Sequence, residues 1–256
     1  MPNILNRWIP RLRAYGQIRT MKILGIHSKV HRLQTGERMR LRVNDVLTRA
    51  LLQENVFEPA VRSVMNQHVK PGMVVLDIGA NIGYFSLRLS SLVGVNGRVI
   101  AFEPNPVVLD ELKFNLALNG TKNVDVVASA LAESDGEAEF CFPEIGMEAH
   151  GSLRPNDTFK VQKRSVVKVA RLDSILEAKG IRKVDFVKID VEGAERLVIR
   201  GGERLLAQRP APVFIFEAAE ILCQAFGYRL YELLTEFESR GYRVREADYG
   251  CWVAEV

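Results

Sequence analysis

The chain has 256 residues, of which 47% are hydrophobic, 26% charged and 8% aromatic. This length and composition fit one large α/β domain or one domain with an appendage, and they exclude a disordered, collagenous or coiled-coil protein. The net charge of +4 hides an asymmetry, because residues 1–42 hold ten basic side chains and one acid, whereas residues 43–256 hold 25 basic and 30 acidic ones. Attraction to anionic partners is therefore expected only of the first sixth of the chain.

This basic segment, residues 1–42, predicts a short amphipathic helix at its start. Apolar side chains from Ile4 to Tyr15 recur at spacings of one, three and four residues, with arginines between them. Two interpretations stay open. Either the helix covers the domain with its arginines in water, or it contacts an anionic membrane surface or another polyanion.

Targeting and redox signals are sparse. The basic segment lacks the continuous apolar stretch of a secretory signal, and no part of the chain reaches the roughly 18 apolar residues of a membrane span. The three cysteines, Cys141, Cys223 and Cys251, form no CxxC pair, which favours plain core thiols in a reducing compartment. The expected location is the cytoplasm, with a peripheral membrane contact through residues 1–42 as a variant.

From about Asn55 onward, short apolar stretches alternate with longer amphipathic ones, which indicates repeated βα units around a parallel sheet. We therefore divide the chain into a basic, helical extension at 1–55 and an α/β domain at 56–256. The predicted strands are Met73 to Ile78, Arg98 to Glu103, Val124 to Ala128, Val184 to Asp190 and Pro212 to Glu217, and the predicted helices are Tyr84 to Val93, Pro106 to Asn119, Asp173 to Lys179, Glu192 to Arg200 and Tyr228 to Arg240.

Two departures from plain βα repetition are predicted. Tyr242 to Ala247 and Cys251 to Glu255 flank a turn-forming Asp-Tyr-Gly, which indicates an antiparallel hairpin at the carboxyl end of the domain. Ser134 to Arg171 reads as an insertion with added strands and a surface loop from Pro143 to Thr158.

The strongest motif is Asp77-Ile78-Gly79-Ala80-Asn81-Ile82-Gly83, in which a buried strand passes through a glycine turn into a helix. Such a turn lets the main chain approach a ligand without a Cβ in the way. An acid before the turn would repel a pyrophosphate and suits a ligand with an ammonium group. The residues expected at this end of the ligand are Asp77, Gly79, Ala80, Asn81, Gly83 and Tyr84.

A second acid sharpens this prediction. Glu103, followed by Pro104, ends the next predicted strand, where a carboxylate can accept both hydroxyls of a ribose. An adenosine that carries an amino acid and a free ribose satisfies both acids, and S-adenosylmethionine is the common cofactor of that description. The alternative is that Asp77 and Glu103 only cap strand ends and turns.

These motifs resemble those of the FkbM-type methyltransferases. Besides the glycine turn, which many class I methyltransferases share, the resemblance includes Ala101-Phe102-Glu103-Pro104, Asn115-Leu116-Ala117-Leu118-Asn119 and the more family-specific Lys188-Ile189-Asp190-Val191-Glu192-Gly193-Ala194-Glu195. It covers about Phe57 to Val256. The resemblance implies an α/β, Rossmann-like class I fold with a seven-stranded, mostly parallel sheet, and methyl transfer from S-adenosylmethionine to a hydroxyl of a sugar, polyketide or similar small molecule.

The residues around Lys188 are the candidates for the reaction site. Lys188 and Asp190 alternate on one face of a predicted buried strand and reach the carboxyl edge of the sheet, where parallel α/β folds bind ligands. Asp190 is the first candidate to line the methyl-transfer site, with Lys188 and Glu192 beside it; an ion pair that only holds the sheet end together is the alternative. Transfer to a hydroxyl also needs a proton acceptor, for which Asp190, Glu192 and His150 are candidates.

Three further residues are weaker candidates. Ser129 and Ala130 follow the third strand, a position that the resemblance to class I methyltransferases places near the adenine of the cofactor; the alternative is an ordinary strand end. Glu58 precedes the first strand and either covers the methionine end of the cofactor or starts a helix. Carboxylates such as Asp190 and Glu217 could bind a metal, but no His-rich or Cys-rich spacing calls for one, and none is predicted.

The sequence thus predicts an S-adenosylmethionine-dependent O-methyltransferase for a sugar, a glycan or another small molecule. One alternative is an RNA methyltransferase that holds nucleic acid through residues 1–42, although no Asn-Pro-Pro-Tyr-like motif follows the fourth strand. The other is a module that binds the cofactor without turnover. The acceptor is expected to be selected by the insertion and the basic segment, which carry few motifs.

Overall fold

The computed structural model describes residues 4–43, 46–54, 56–143, 151–155 and 161–256. Within these residues helices and strands alternate along most of the chain. In order they are α1 (Ile4–Ile23), β1 (Ser28–Arg32), β2 (Arg38–Arg42), α2 (Val46–Glu54), α3 (Pro59–His68), β3 (Val74–Ile78), α4 (Tyr84–Val93), β4 (Arg98–Phe102), α5 (Pro106–Leu118), β5 (Val124–Val127), β6 (Ala130–Leu131), β7 (Gly136–Pro143), β8 (Val161–Ala170), α6 (Leu172–Ala178), β9 (Phe186–Ile189), α7 (Glu195–Gly201), α8 (Glu203–Leu206), β10 (Val213–Glu217), α9 (Glu220–Ala225), α10 (Leu230–Glu238), β11 (Arg243–Asp248) and β12 (Cys251–Glu255).

The centre of the molecule is a seven-stranded sheet in the order β11-β12-β10-β9-β3-β4-β5. Six strands run in parallel, and only β12 is antiparallel to its neighbours β10 and β11. The predicted mostly parallel class I sheet with a carboxyl-terminal antiparallel hairpin is therefore confirmed. From β3 the chain continues to β4 and β5 on one side of β3, and it later forms β9 on the other side. A ligand crevice forms where the strand order reverses in this way, next to β3.

Alternating apolar side chains bury both faces of this sheet. Val75 and Val99 belong to a core cluster that includes Leu87 of α4, whereas their neighbours Leu76 and Ile100 belong to a second cluster on the opposite face. Strands covered on both faces are expected to be apolar throughout, as these are. The central strands are therefore held firmly, and the residues that follow their carboxyl ends have defined positions.

The observed elements agree closely with the predicted ones, with one difference near the candidate site. Helix α4 spans the predicted residues, but α7 begins at Glu195, three residues later than predicted. Glu192 and Gly193 have φ angles of 55° and 100°, in the left-handed region, and form a turn before the helix. Glu192 therefore lies just beyond the carboxyl edge of the sheet and not in the first turn of a helix.

The predicted insertion is confirmed as a separate structure. Strands β6, β7 and β8 form a three-stranded sheet in the order β6-β8-β7, with a small core of its own around Phe140 and Val167. Of the predicted loop, residues 144–150 and 156–158 lie outside the described residues.

The basic segment is built into the domain more firmly than the sequence predicted. Helix α1 extends to Ile23, and an unpredicted hairpin, β1–β2, follows it. Met39 and Leu41 of β2 are fully buried in the main core. The main-chain N–H groups of Arg38 and Arg40 donate to the side-chain oxygens of Asn119 and Asn115 on α5, each at 2.8 Å. The unit boundary at residue 55 stays a prediction.

In the described part of the chain, no helix combines the length and the apolar character that crossing a bilayer requires. The three cysteines are all free and buried, as predicted for core thiols.

Candidate active site

A cleft opens at the carboxyl edge of the central sheet. Its walls come from the residues that follow β3, β4, β5 and β9, together with the inserted sheet. Ligands of parallel α/β folds bind at this edge. Eight of the predicted site residues line it: Gly79, Asn81, Glu103, Pro104, Ser129, Ala130, Asp190 and Glu192.

The glycine turn forms one wall of the cleft. Gly79 has a φ of 80°, and a Cβ at this position would lie 1.8 Å from the main-chain oxygen of Asp190. Gly83, with a φ of 92°, begins α4 where a Cβ would lie 2.7 Å from Leu112 Cδ1. Both glycines are therefore needed for close packing as well as for conformation. The main chain after β3 lies directly against that after β9, which fixes the position of Asp190.

Asp77 lies behind this wall and does not line the cleft. Its side chain is fully buried, accepts a hydrogen bond of 2.5 Å from Ser86 Oγ through Oδ2, and has Oδ1 3.7 Å from Lys188 Nζ. Burial raises the pKa of Asp77, although Lys188 and Ser86 oppose the rise. The geometry gives Asp77 a positioning role behind the turn. Direct contact with a cofactor ammonium stays a prediction.

Lys188 connects the two strands that border the crevice. Its buried amine donates to the main-chain oxygen of Gly79 and to Asp190 Oδ2, both at 3.1 Å. Burial disfavours the charged amine, yet Asp190 and Asp77 outweigh this effect and raise the pKa of Lys188. The predicted ion pair with Asp190 is present and stands at the cleft, and a role for it in the reaction stays a prediction.

Glu103 presents a buried carboxylate to the cleft. Its two oxygens accept hydrogen bonds from the main-chain N–H groups of Asn81 and Asn105, each at 2.8 Å. Burial raises the pKa of Glu103 to about 7, and these two N–H groups oppose the rise. Each carboxylate oxygen keeps a second lone pair for a ligand hydroxyl. The side chain is thus oriented before any ligand binds.

Ser129 and Ala130 line the cleft where β5 leads into β6. The Ser129 Oγ lies 2.8 Å from the main-chain oxygen of Ala130 and 3.2 Å from that of Lys168, and it can donate its one proton to either. The side chain of Ser129 thus links the end of β5 to the insertion. The predicted contacts of Ser129 and Ala130 with the cofactor stay predictions.

The sequence analysis missed an apolar part of the cleft. Phe102 and Leu131 line it from the ends of β4 and β6, and Phe140 and Leu153 line it from the insertion. Ser152 holds this wall in place, because it pairs with Cys141 through two main-chain hydrogen bonds and donates from Oγ to the main-chain oxygen of Glu192 at 3.0 Å. Such a pocket suits a planar apolar ring.

A group of three carboxylates lies beside the cleft. Glu58 before α3, Asp190 after β9 and Glu217 at the end of β10 have carboxylate oxygens within 4.8 Å of one another. Burial, then the charge of Asp190, raises the pKa of Glu58 to about 7, and Asp190, then burial, raises that of Glu217 to about 8. Such a set of oxygens can hold a divalent cation or share a proton.

This grouping gives Glu58 acidic neighbours that were not predicted for it. It precedes the first turn of α3 with a left-handed φ of 45° and stands with the acids, not among the residues that line the cleft. Glu217, by contrast, was expected at the carboxyl edge of the sheet as a possible metal ligand together with Asp190, but not as a residue of the reaction site. Parallel strands bring their carboxyl ends together, so its position beside Asp190 was available from the strand pattern alone.

Two further predicted residues, Ala80 and Tyr84, are not among those that line the cleft. Ala80 is buried beneath the turn. Tyr84 is buried too, and its hydroxyl accepts a hydrogen bond of 3.2 Å from the main chain of Phe57, next to Glu58. Tyr84 thus supports the segment that carries Glu58. His150 lies outside the described residues.

A parallel sheet of this order, with a glycine turn after its central strand and a buried acid after the next, defines a class I methyltransferase domain, whose cofactor is S-adenosylmethionine. The FkbM methyltransferase domain family matches residues 77–244, and the chain belongs to that family. The protein-L-isoaspartate(D-aspartate) O-methyltransferase family matches residues 5–140. That second match includes the glycine turn but ends before Lys188.

Relatives of known name are similar over part of the chain. Methyltransferase sdnD of Sordaria araneosa is 30% identical over 156 residues, which are 50% of this chain and 59% of sdnD. The 2-O-methyltransferase NoeI of Sinorhizobium fredii is 27% identical over 57% of this chain and 64% of NoeI. The hexuronic acid methyltransferase AglP of Haloferax volcanii is 30% identical over 50% of this chain and 49% of AglP. The chain thus spans about half to two thirds of the length of these relatives.

Proposed function

We propose that the protein transfers a methyl group from S-adenosylmethionine to a hydroxyl of a sugar, a glycan or another small molecule. The observation that carries this proposal is the position of Asp190. It stands at the junction of two environments, because it lines the cleft next to the glycine turn and also belongs to the group of three carboxylates.

The cleft fits the cofactor by the chemistry of its donors. Glu103 would accept the ribose hydroxyls, since its carboxylate is already oriented by Asn81 and Asn105. Phe102, Leu131 and the inserted sheet would cover the adenine ring. When bound, S-adenosylmethionine supplies a methyl group attached to a positively charged sulfur.

The acidic group would serve the acceptor. A hydroxyl becomes a better nucleophile when a nearby base takes its proton, and a carboxylate in a partly dry site can do so. Asp190 retains exposed surface, with 29% of its side chain accessible, and is held by Lys188 at 3.1 Å. Glu58 and Glu217 complete a set in which a proton can be passed between neighbouring oxygens.

The names of two relatives agree with this type of acceptor. NoeI is a 2-O-methyltransferase and AglP a hexuronic acid methyltransferase. Transfer to oxygen on a sugar-like acceptor is therefore the first reaction to test, and a free polyol or sugar acid is a suitable probe.

The test is transfer of a labelled methyl group from S-adenosylmethionine into fractionated cell extract and into a panel of sugars and sugar acids. We expect label in a glycan, lipid-linked or small-molecule fraction. Asp190→Asn should lower this transfer by about a hundredfold or more, in the range typical for loss of a catalytic acid or base. Asp110→Asn, a change of the same type on the exposed face of α5, should have no effect.

Other outcomes would overturn the proposal. Label confined to RNA would favour the nucleic-acid alternative, and cofactor binding without transfer to any fraction would favour a binding module. An Asp190→Asn protein as active as the wild type would remove Asp190 from the reaction site.

A further inference from the structure

The outer face of the basic segment carries an unusual set of exposed side chains. Tyr15, Ile23, Leu24, Ile26 and Val30 are 40% to 74% exposed, and they fall within sixteen residues of one another. They make up five of the thirteen exposed large hydrophobic residues in the described chain. We call this surface the docking patch; it comprises these five residues together with Arg19, Lys22 and Arg32.

On α1 the patch is the outer face of an amphipathic helix. Ala14 and Met21, seven residues apart on α1, are buried against the domain. Tyr15, Arg19 and Ile23 follow one another at spacings of four on the outer side. The outer face of an ordinary surface helix is polar, whereas this one mixes large apolar and basic side chains.

The arginines of the segment divide into two sets. Arg40 and Arg42 lie 2.7 Å from Glu111, and Arg40 also stacks on the ring of Phe114, so both attach the hairpin to the domain. In the described part of the chain, Arg19 and Lys22 of the patch form no ion pair, and neither does Arg32. No acidic residue occurs before Glu37. The patch thus presents positive charge without internal neutralisation.

The orientation of the hairpin relates the patch to the cleft. Strand β2 runs along α5 from Asn119, bonded to Arg38, toward Glu111, bonded to Arg42. Because α5 begins directly after Glu103, this direction leads toward the edge of the sheet that carries the cleft. Ser28 pairs with Arg42, so Ile26 stands at this same end of the hairpin, whereas Arg32 pairs with Arg38 and stands at the other end.

We propose that the docking patch binds an anionic lipid membrane and holds the cleft side of the domain near the bilayer surface. Exposed isoleucine and leucine side chains gain by entering the boundary between headgroups and acyl chains, while Arg19, Lys22 and Arg32 attract anionic headgroups. A nucleic acid would use the basic side chains but would leave the exposed aliphatic ones in water. The combination therefore favours a membrane over a polyanionic chain.

The experiment measures partition of the full chain onto phosphatidylcholine vesicles with and without phosphatidylglycerol, at low and high salt. Binding should require phosphatidylglycerol and weaken as salt rises. Arg19→Glu with Lys22→Glu should reduce partition by at least about thirtyfold, since each basic residue near an anionic surface contributes roughly a fivefold attraction. Ile23→Asn with Leu24→Asn should reduce it by about tenfold or more.

Matched controls use side chains of the same type elsewhere. Val95→Asn alters an apolar residue that is 94% exposed between α4 and β4, and Arg243→Glu alters an exposed basic residue on β11. Both should bind vesicles like the wild type. Calorimetric binding of S-adenosylmethionine by every variant would show that the fold is intact.

The proposal would be overturned if phosphatidylglycerol did not increase partition of the wild type onto vesicles. It would also be overturned if the double variants bound these vesicles as well as the wild type does. If polyuridylate binds the patch and only the charge variant loses that binding, with no vesicle partition, the surface is one for polyanions and the membrane assignment is wrong. None of these results depends on whether methyl transfer is observed.

Discussion

The two halves of the candidate site hold their carboxylates in opposite ways. On the cofactor side, Glu103 is bonded through both oxygens to main-chain N–H groups. On the acceptor side, Glu58, Asp190 and Glu217 face one another, with one buried amine, that of Lys188, among them. Main-chain bonds fix a side chain in one position, whereas clustered acids compete for protons.

This difference separates binding from chemistry. A ligand that must be oriented in the same way at every turnover is served by groups held on a rigid main chain. Burial raises the pKa of Glu103 to about 7 as well, so a raised pKa does not distinguish the two sides. The acidic side differs because its neighbouring carboxylate oxygens can pass a proton from one to another. Changes on the first side should therefore affect the fold and binding, and changes on the second should affect pH dependence and turnover.

The largest effect is expected where the two halves touch. In Gly79→Ala the new Cβ would overlap the main-chain oxygen of Asp190, at 1.8 Å, in a left-handed conformation. We expect the free energy of unfolding to fall by more than about 3 kcal/mol and cofactor binding to be lost.

Gly120→Ala is the matched control, because Gly120 also has a positive φ, of 62°, but has open space around its Cβ position. It should cost about 1 kcal/mol, which is the conformational part alone. Chemical denaturation measures both variants. Equal losses would show that the contact between the two strand ends is unimportant.

A smaller effect is expected from the acidic half. The pKa of Glu217 is raised to about 8 in the folded protein, from 4.5, so the unfolded chain ionises first as the pH rises. The folded state therefore loses stability progressively between about pH 4.5 and 8, and Glu217→Gln removes this loss. The free energy of unfolding of the variant should match that of the wild type at pH 4.5 and exceed it by about 1 kcal/mol at pH 9. This figure is reduced because Glu217 is covered only in part and water screens its interactions.

Urea denaturation at both pH values tests this prediction, with Glu238→Gln, an exposed glutamate of α10, as the control. If the difference in free energy of unfolding between Glu217→Gln and the wild type were the same at both pH values, the three acids would not interact.

Much of this site was predictable from the sequence because its parts follow from strand ends. The apolar runs around Val75 and Val187 predicted buried parallel strands, and the glycine turn predicted a close approach of main chain to ligand. The carboxylate of Glu103 then predicted a cofactor side, and the carboxylate of Asp190 predicted a reaction side. These inferences need only local patterns and the rule that parallel strands end on one edge.

Other parts depend on tertiary placement and were missed for that reason. Phe140 and Leu153 reach the cleft only because the inserted sheet folds over it. The β1–β2 hairpin was not predicted, because its many basic side chains do not suggest a buried strand. Met39 and Leu41 nevertheless alternate with three arginines, which is the period of a strand. The full burial of Asp77 follows from its partners Lys188 and Ser86, of which Lys188 lies more than a hundred residues away.

The division of the site is tested most directly by calorimetry of S-adenosylmethionine binding to the wild type, Glu103→Ala and Asp190→Asn. Glu103→Ala should show no measurable binding, whereas Asp190→Asn should bind the cofactor within about threefold of the wild type. Equal loss in both variants, or unchanged affinity in Glu103→Ala, would contradict the separation of a cofactor half from an acceptor half.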